Sequence, residues 1–178
     1  MLDAAVRLAR RDGYAAVTIK GIAEEARVGR QTVYRWWTSR AAVLLEAVGE
    51  LARTTVAPEP SADPAADLRA LLRSTFVLAQ DVGGVVVGLM ADATGDAEFL
   101  AALQERLLAP RRAVVDEILE RGRRAGRFPG GFETALVTDM IWGTMWYRLL
   151  SRHGPVDERL ADELTDAAVR LLGMDGDG

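Results

Sequence analysis

The sequence predicts an all-α protein of about nine helices, in which a small N-terminal head is joined by a fourth helix to a larger helical body. Apolar residues recur at helical spacing, for example at Leu2, Val6 and Ala9, which is the stripe of an amphipathic helix. No segment shows a convincing period-two alternation bounded by turn residues. Because 49% of the 178 residues are hydrophobic, the chain can bury a sizeable core.

Three helices are predicted in the head, and a fourth joins the head to the body. The first ends near Gly13, which can take the left-handed conformation that closes a helix. Thr18 is the expected N-cap of the second helix and Ser39 that of the fourth, because a hydroxyl oxygen there can accept a bond from an unpaired backbone N–H. The third helix is predicted in the segment RQTVYRWW, residues 30–37.

The body is predicted to begin after a proline-rich break, APEPSADP at 57–64. The helix after this break is expected to end in a turn at Gly83-Gly84, and a short apolar helix then runs to about Gly95. The remaining predicted helices, with a kink at Pro110, cover 96–125, 132–152 and 156–172. The tail GMDGDG is predicted to be disordered.

Charge is distributed unevenly along the chain. Residues 1–56 carry nine basic and six acidic side chains, a net charge of +3, whereas the remainder carries −7. An anion-binding head on an acidic body would show this asymmetry.

The second and third helices and the tight turn between them form a helix-turn-helix. Val33 and Trp37 share one face of the third helix and are predicted to pack against the first two helices. Trp36 points about 100° away from Trp37 and is expected outside. Arginine and glutamine can bond base edges, and Tyr34 and Arg40 can reach phosphates. The predicted DNA-contacting residues are Thr18, Lys20, Arg30, Gln31, Thr32, Tyr34, Arg35, Trp36 and Arg40.

The pattern VTIKGIAEEARVGRQTVYRWWTSRAAVL resembles the DNA-binding head of the TetR family of bacterial transcriptional regulators. The places of the family pattern are taken here by Thr18, Ile22, Ala23, Tyr34, Trp37 and Arg40. Arg27 stands where the turn usually has glycine, and we predict that it adopts a left-handed conformation at a cost of about 1 kcal/mol. Gly29 stands where a serine is usual and offers no capping hydroxyl.

The first residues lack a secretory pattern, because Asp3 and Arg7 interrupt their apolar positions, and a cytoplasmic protein is therefore expected. The resemblance implies a sequence-specific regulator, with repression as the commoner mode, and a division into a DNA-binding domain at 1–46 and a ligand-binding and dimerisation domain at 47–174. In the family the last two long helices pair with those of a second subunit. The helix at 132–152 is apolar on more than one side, which also favours a covered face. A homodimer would match a palindromic operator on double-stranded DNA. Its predicted interface residues are Met140, Gly143, Thr144, Tyr147, Leu160, Leu164, Ala167, Ala168 and Leu171.

A small-molecule effector of unknown identity is also implied by the resemblance. Methionine and aromatic side chains suit a flat or greasy compound, and the candidate pocket residues are Phe76, Met90, Phe99, Trp142, Met145 and Trp146. A ligand that prefers a wider spacing of the two heads would lower DNA affinity by its differential affinity for the two states. The fourth helix would transmit the change.

Other classes of function find less support in the sequence. The chain has no cysteine and one histidine, His153, so thiolate and histidine-rich metal sites are excluded, and no metal, cofactor or catalytic site is expected. Asp116 and Glu120 lie at i, i+4, but such pairs are usually solvated. Two alternatives stay open: a helical protein-interaction module with a decayed head and, with less support, a small all-α enzyme. The longest apolar run, VVVGLM at 85–90, falls short of the roughly 20 residues of a membrane helix, so no membrane partner is expected.

Overall fold

The computed structural model describes residues 1–54 and 60–173, and all regular elements in these ranges are helical. The all-α prediction is confirmed. Backbone proximity divides the chain into two compact units: the first contains Met1–Thr54 and Asp81–Ala109, and the second contains Thr55–Gln80 and Pro110–Gly178. Part of the predicted proline-rich break and the tail after Gly173 lie outside the described residues.

The first unit begins with the predicted head. Its helices are α1 (Leu2–Asp12), α2 (Ile19–Glu25), α3 (Arg30–Tyr34) and α4 (Arg40–Thr54). A 3₁₀ turn between α1 and α2 was not predicted. The third helix is shorter than its sequence pattern suggested, because it ends at Tyr34 rather than at the tryptophan pair. Ile22, Val33 and Leu44 are fully buried and form the centre of the head.

Helix α5 runs without interruption over Pro64–Ala93. The prediction of a turn at Gly83-Gly84 was therefore wrong. Each glycine in a helix costs about 1 kcal/mol relative to alanine, but Val82, Val85 and Leu89 on the same stretch are buried. Burial of these side chains outweighs the local preference of the glycines. The first half of α5 belongs to the second unit and the rest to the first.

Because α5 is continuous, it is longer than either of the two helices that the sequence predicted for this segment. An 18-residue window within it has a mean hydropathy of 1.5, and by length and composition alone the helix is long enough to cross a membrane. Uninterrupted apolar runs alone do not reveal this property, because the longest of them covers only residues 85–90. A core helix of a soluble protein passes the same test, and Leu68, Leu72 and Phe76 of α5 are fully buried in the second unit.

The irregularity predicted at Pro110 is present as a π turn. Helix α6 (Ala97–Leu103), capped by Asp96, continues through this turn at Gln104–Leu108 into α7 (Ala109–Arg124). Pro110 has no N–H to donate to the carbonyl four residues earlier, and a widened turn next to it accommodates the missing bond.

The second unit packs the first half of α5 with α7, α8 (Thr134–Ser151) and α9 (Glu158–Gly173). Two carboxylates of α7 accept hydrogen bonds from hydroxyls of α8: Asp116 from Thr138 at 2.6 Å, and Glu120 from Thr134. Asp116 and Glu120 thus link α7 to α8.

The two units do not coincide with the predicted domains. Helix α4 runs through the predicted boundary between residues 46 and 47, and residues 81–109 group with the head. The functional division into 1–46 and 47–174 stays a prediction.

Candidate nucleic-acid interface

Two buried side chains fix the recognition helix α3 from behind. Val33 is fully buried and Trp37 is 9% exposed. The Trp37 indole N–H also donates to a carboxylate oxygen of Glu46 on α4 at 2.9 Å, so both the ring and its polar atom are satisfied. The predicted anchoring role of Val33 and Trp37 is confirmed.

The caps of α2 and α4 agree with the sequence. Thr18 Oγ1 accepts the backbone N–H of Gly21 at 3.0 Å, and Ser39 Oγ accepts that of Ala42 at 3.1 Å. Gly29 occupies the N-cap of α3 with no side-chain bond, as expected from its missing hydroxyl.

The turn between α2 and α3 is closed by a left-handed arginine. Arg27 has a φ of 56°, which confirms the predicted conformation. Its N–H bonds to the carbonyl of Glu24 at 3.1 Å, and that of Val28 bonds to the carbonyl of Ala23 at 2.9 Å. These two bonds are the Schellman pattern that ends a helix, and they aim the chain into α3.

The outer face of α3 and the turn after it expose a dense polar and aromatic surface. Trp36 is 68% exposed and Tyr34 57%, as predicted. The side chains of Arg30, Gln31, Thr32 and Arg35 are exposed as well. In the part of the chain that the structure describes, Arg30 and Arg35 have no ion pair or hydrogen bond through their guanidinium groups. Two cations are therefore available to an external anion.

Lys20 lies in the first turn of α2, with its side chain 61% exposed and its ammonium 3.7 Å from Glu24. A cation near a helix N-terminus opposes the helix dipole. Its position next to the Thr18 cap is therefore unfavourable for the helix alone, and a phosphate at this end would relieve it.

Arg40 has a role that the motif did not indicate. Its Nη1 donates to the carbonyls of Tyr14, Ala15 and Val17 at 2.8–3.2 Å, and its guanidinium lies 4.9 Å from the centre of the Tyr14 ring. Arg40 thus braces the connection between α1 and α2 against α4. Sequence reasoning had no signal for this, because the carbonyls lie more than 20 residues away. A phosphate contact by Arg40 stays a prediction.

The second half of α5 docks on the head through Tyr14, a residue that the sequence analysis did not single out. The Tyr14 hydroxyl donates to Asp92 at 2.5 Å, and its ring packs so closely on Gly88 that a Cβ atom there would overlap it. Burial, followed by the bond to Asp92, raises the pKa of Tyr14 above its usual range. An ion pair between Arg10 and Asp81 adds a second tie.

The candidate pocket residues are divided between the units. Met90 and Phe99 belong to the first unit and are half-buried. In the second unit, Phe76 and Met145 are buried in the core, and Trp142 and Trp146 pack partly exposed against it. The pocket itself stays a prediction.

The predicted dimer residues fall into two groups. Leu160 and Ala168 are buried within the second unit, 3% and 2% exposed, so a partner cannot reach them and their assignment was wrong. The other seven are at least partly exposed, namely Met140, Gly143, Thr144, Tyr147, Leu164, Ala167 and Leu171. The sequence pattern identified apolar positions on α9 but not which of them face its own core.

The exposed apolar residues of α8 form a more regularly spaced surface than the predicted dimer-interface residues do. We call it the apolar strip, and it consists of Leu136, Met140, Gly143, Tyr147 and Leu150. Its four large side chains are 46–64% exposed. The spacing alternates between four and three residues, which is the seam of a helix that packs lengthwise on another helix.

Comparison with known proteins identifies the architecture. The family model described as "Bacterial regulatory proteins, tetR family" matches residues 1–47, and the model described as "Tetracyclin repressor-like, C-terminal domain" matches 58–168. The chain belongs to the TetR family. The uncharacterized HTH-type transcriptional regulator YdeS from Bacillus subtilis is 28% identical, over 98% of this chain and 84% of that protein.

Solved structures of transcriptional regulators agree in fold. The TetR family transcription regulator SCO0332 superposes with a TM-score of 0.77 at 30% identity, covering 98% of this chain and 96% of the other. FadR from Bacillus subtilis superposes with a TM-score of 0.73 at 20% identity, covering 98% and 97%. This TetR-family protein is a DNA-binding regulator of transcription, as its helix-turn-helix predicted.

Proposed function

We propose that this TetR-family regulator is a cytoplasmic repressor that binds a palindromic operator as a homodimer and leaves it when a small effector binds. The observation that carries the proposal is the outer face of α3, where Arg30 and Arg35 have no partner among the described residues while Val33 holds the helix in place. An exposed, rigidly mounted donor surface of this kind suits the major groove.

The contacts follow from the position of each side chain. Arg30 and Gln31, at the start of α3, are placed to read base edges, with the methyl group of Thr32 beside them. The other residues of the surface contact the backbone and set the register: Thr18, Lys20, Tyr34, Arg35 and Trp36. Arg40 contributes through the bracing described above.

Dimerisation is supported by the apolar strip of α8. Leu136, Met140, Tyr147 and Leu150 would leave a continuous row of large apolar side chains in water on an isolated subunit, and such rows mark interaction sites. A second copy of the same strip, related by a two-fold axis, would cover it and would present two recognition helices to two half-sites.

An effector is supported by a fold relative and by the internal ties of the first unit. FadR from Bacillus subtilis was crystallised in complex with stearoyl-CoA, which makes long-chain acyl thioesters the first class to test. Within the first unit, the second half of α5 is fixed to the head through Tyr14 and Asp81. A displacement of this half of α5 would therefore be felt by α1 and α4, in addition to the predicted route through α4.

Selection of bound fragments from genomic DNA with the purified protein would give the operator. Gln31→Ala is expected to relax the choice of base at one position in each half-site, by about 1–3 kcal/mol. Lys20→Ala serves as the matched control, because loss of a phosphate contact weakens all sequences alike and reduces the salt slope by about one.

The proposal fails if no sequence is enriched, or if the affinity for enriched fragments equals that for random DNA at the same salt concentration. Repression fails separately if a reporter gene downstream of the operator is expressed equally with and without the regulator.

A further inference from the structure

Helix α8 has three faces, of which two are accounted for. One face is buried in the core of the second unit and includes Ile141 and Met145, and a second is the apolar strip. The third face, which we call the tryptophan flank, consists of Trp142, Trp146 and Leu149. These residues are spaced at i, i+4 and i+7, so they share one side of the helix, and all three are only partly buried against the core.

The tryptophan flank contains a polar atom without a partner. Trp142 Nε1 is buried and has no hydrogen-bond acceptor among the described residues. An indole N–H can only donate, and buried donors in folded proteins are almost always paired. Trp37 in the same chain shows the ordinary outcome, since its Nε1 donates to Glu46 at 2.9 Å. A hydrogen-bond acceptor from outside the described residues would therefore satisfy this donor and offset its desolvation.

We propose that the Trp142 N–H is the polar anchor of an effector site on the tryptophan flank. The ligand class is an apolar molecule that carries one hydrogen-bond-accepting oxygen, a carbonyl or a carboxylate. The rings of Trp142 and Trp146 supply the apolar contact, and the N–H orients the oxygen. The inference rests on the proposed effector response and adds its chemistry.

The test uses three aromatic probes of one shape: naphthalene, methyl 2-naphthoate and 2-naphthoate. The protein has four tryptophans, so labelling their indole nitrogens with ¹⁵N gives a simple NMR spectrum that single substitutions assign. The ester or the carboxylate is expected to move the Trp142 N–H resonance downfield, whereas naphthalene does not. A stronger response to the ester indicates a neutral carbonyl ligand, and a stronger response to the carboxylate indicates an acid.

Affinity provides the second readout. The preference for the better oxygen-bearing probe over naphthalene is expected to fall by roughly 3- to 10-fold in Trp142→Phe, the worth of one hydrogen bond. Trp146→Phe is the matched control, because it removes an indole from the same flank and is expected to keep the preference. Equal preference in Trp142→Phe and the unmodified protein, or no response to any of the three probes, overturns the proposal.

A measurement without ligand keeps the proposal testable if these variants do not fold. Incorporation of benzothienylalanine at position 142 replaces the N–H by sulfur in a ring of nearly the same shape. The melting temperature of the free protein is expected to stay the same or to rise, because an unpaired donor is removed. A clear decrease would mean that the N–H has a structural partner and would overturn the proposal. Operator binding is measured separately, so a failure of the effector response is distinguishable from a failure at Trp142.

Discussion

Arg40 and Arg35 lie close together in the sequence but in different surroundings. Arg40 donates to three backbone carbonyls of the α1–α2 connection, whereas Arg35 has no internal partner in the described chain. The carbonyl of Tyr14 also accepts the N–H of Val17 at 3.3 Å, whereas those of Ala15 and Val17 would otherwise depend on water.

Arg40→Ala is expected to lower the free energy of unfolding by about 1–3 kcal/mol, because several hydrogen bonds to a charged group are lost. Arg35→Ala is the control and should change stability by less than about 0.5 kcal/mol while weakening DNA binding. Denaturant unfolding and DNA titration of both variants measure this. If Arg40→Ala unfolds like the unmodified protein and only DNA affinity falls, Arg40 is a phosphate contact and not a brace.

Tyr14 makes the stability of the head sensitive to alkaline pH. Its pKa is raised in the folded state by burial and by the bond to Asp92, so the folded protein retains the hydroxyl proton at a pH where the unfolded chain has released it. Stability is therefore full below the ordinary pKa of 10.0 and decreases as the pH rises above it. Urea unfolding at a series of pH values should show a shallower decrease in Tyr14→Phe, and identical pH profiles would contradict the assignment.

At the scale of elements, two of the three glycines of α5, Gly84 and Gly88, are in opposite situations. A Cβ atom on Gly84 meets nothing within 4 Å, whereas a Cβ atom on Gly88 overlaps the ring of Tyr14. The missing side chain of Gly88 therefore leaves the space that the Tyr14 ring occupies, and we call this space the socket. Gly84 has no such contact and only weakens the helix.

Gly84→Ala is expected to stabilise the protein by about 0.5–1 kcal/mol through helix propensity. Gly88→Ala is expected to destabilise it by about 1–3 kcal/mol, since the tyrosine ring must move. Thermal unfolding compares the two, and the double variant Gly88→Ala, Tyr14→Ala should show no further loss from the Gly88 substitution. Equal effects of the two glycine substitutions would remove the socket interpretation.

The same elements show what a sequence can predict. Thr18 and Ser39 could be predicted as caps because capping depends on a local hydrogen bond, from a backbone N–H to a hydroxyl oxygen a few residues away. The burial of Trp37 and the exposure of Trp36 followed from helix geometry. The continuity of α5 through Gly83 and Gly84 did not, because it depends on tertiary burial.

Contacts between residues that are distant in the sequence limited the prediction of the site in the same way. The contacts of Arg40 and Tyr14 join residues that are far apart in the chain. Leu160 and Ala168 were assigned to the wrong side of α9, since periodicity reveals that a face is apolar but not what covers it.

At the scale of the whole molecule, the apolar strip and the uneven charge would both serve the binding of DNA by a dimer. The head carries the chain's positive excess and the remainder an excess of acid, so two copies joined through α8 would present two cationic heads to one anionic duplex. The proposed association of subunits would therefore double the surface that DNA can contact.

Met140→Glu is expected to convert the protein to a monomer at micromolar concentration, because it places a charge in the centre of the apolar strip. Val77→Glu is the matched control: Val77 is 48% exposed on α5 and lies outside the strip, so its substitution should leave the mass unchanged. Analytical ultracentrifugation measures both. A monomeric unmodified protein with intact helicity would contradict the dimer directly.

Lys20, with its exposed side chain on the first turn of α2, is also the only lysine in the chain. An amine-directed reagent can therefore modify a single side chain, which peptide mapping separates from the α-amino group. Protection of that one amine by an added duplex would give a chemical footprint of the complex, and a dye attached there would report its formation in real time.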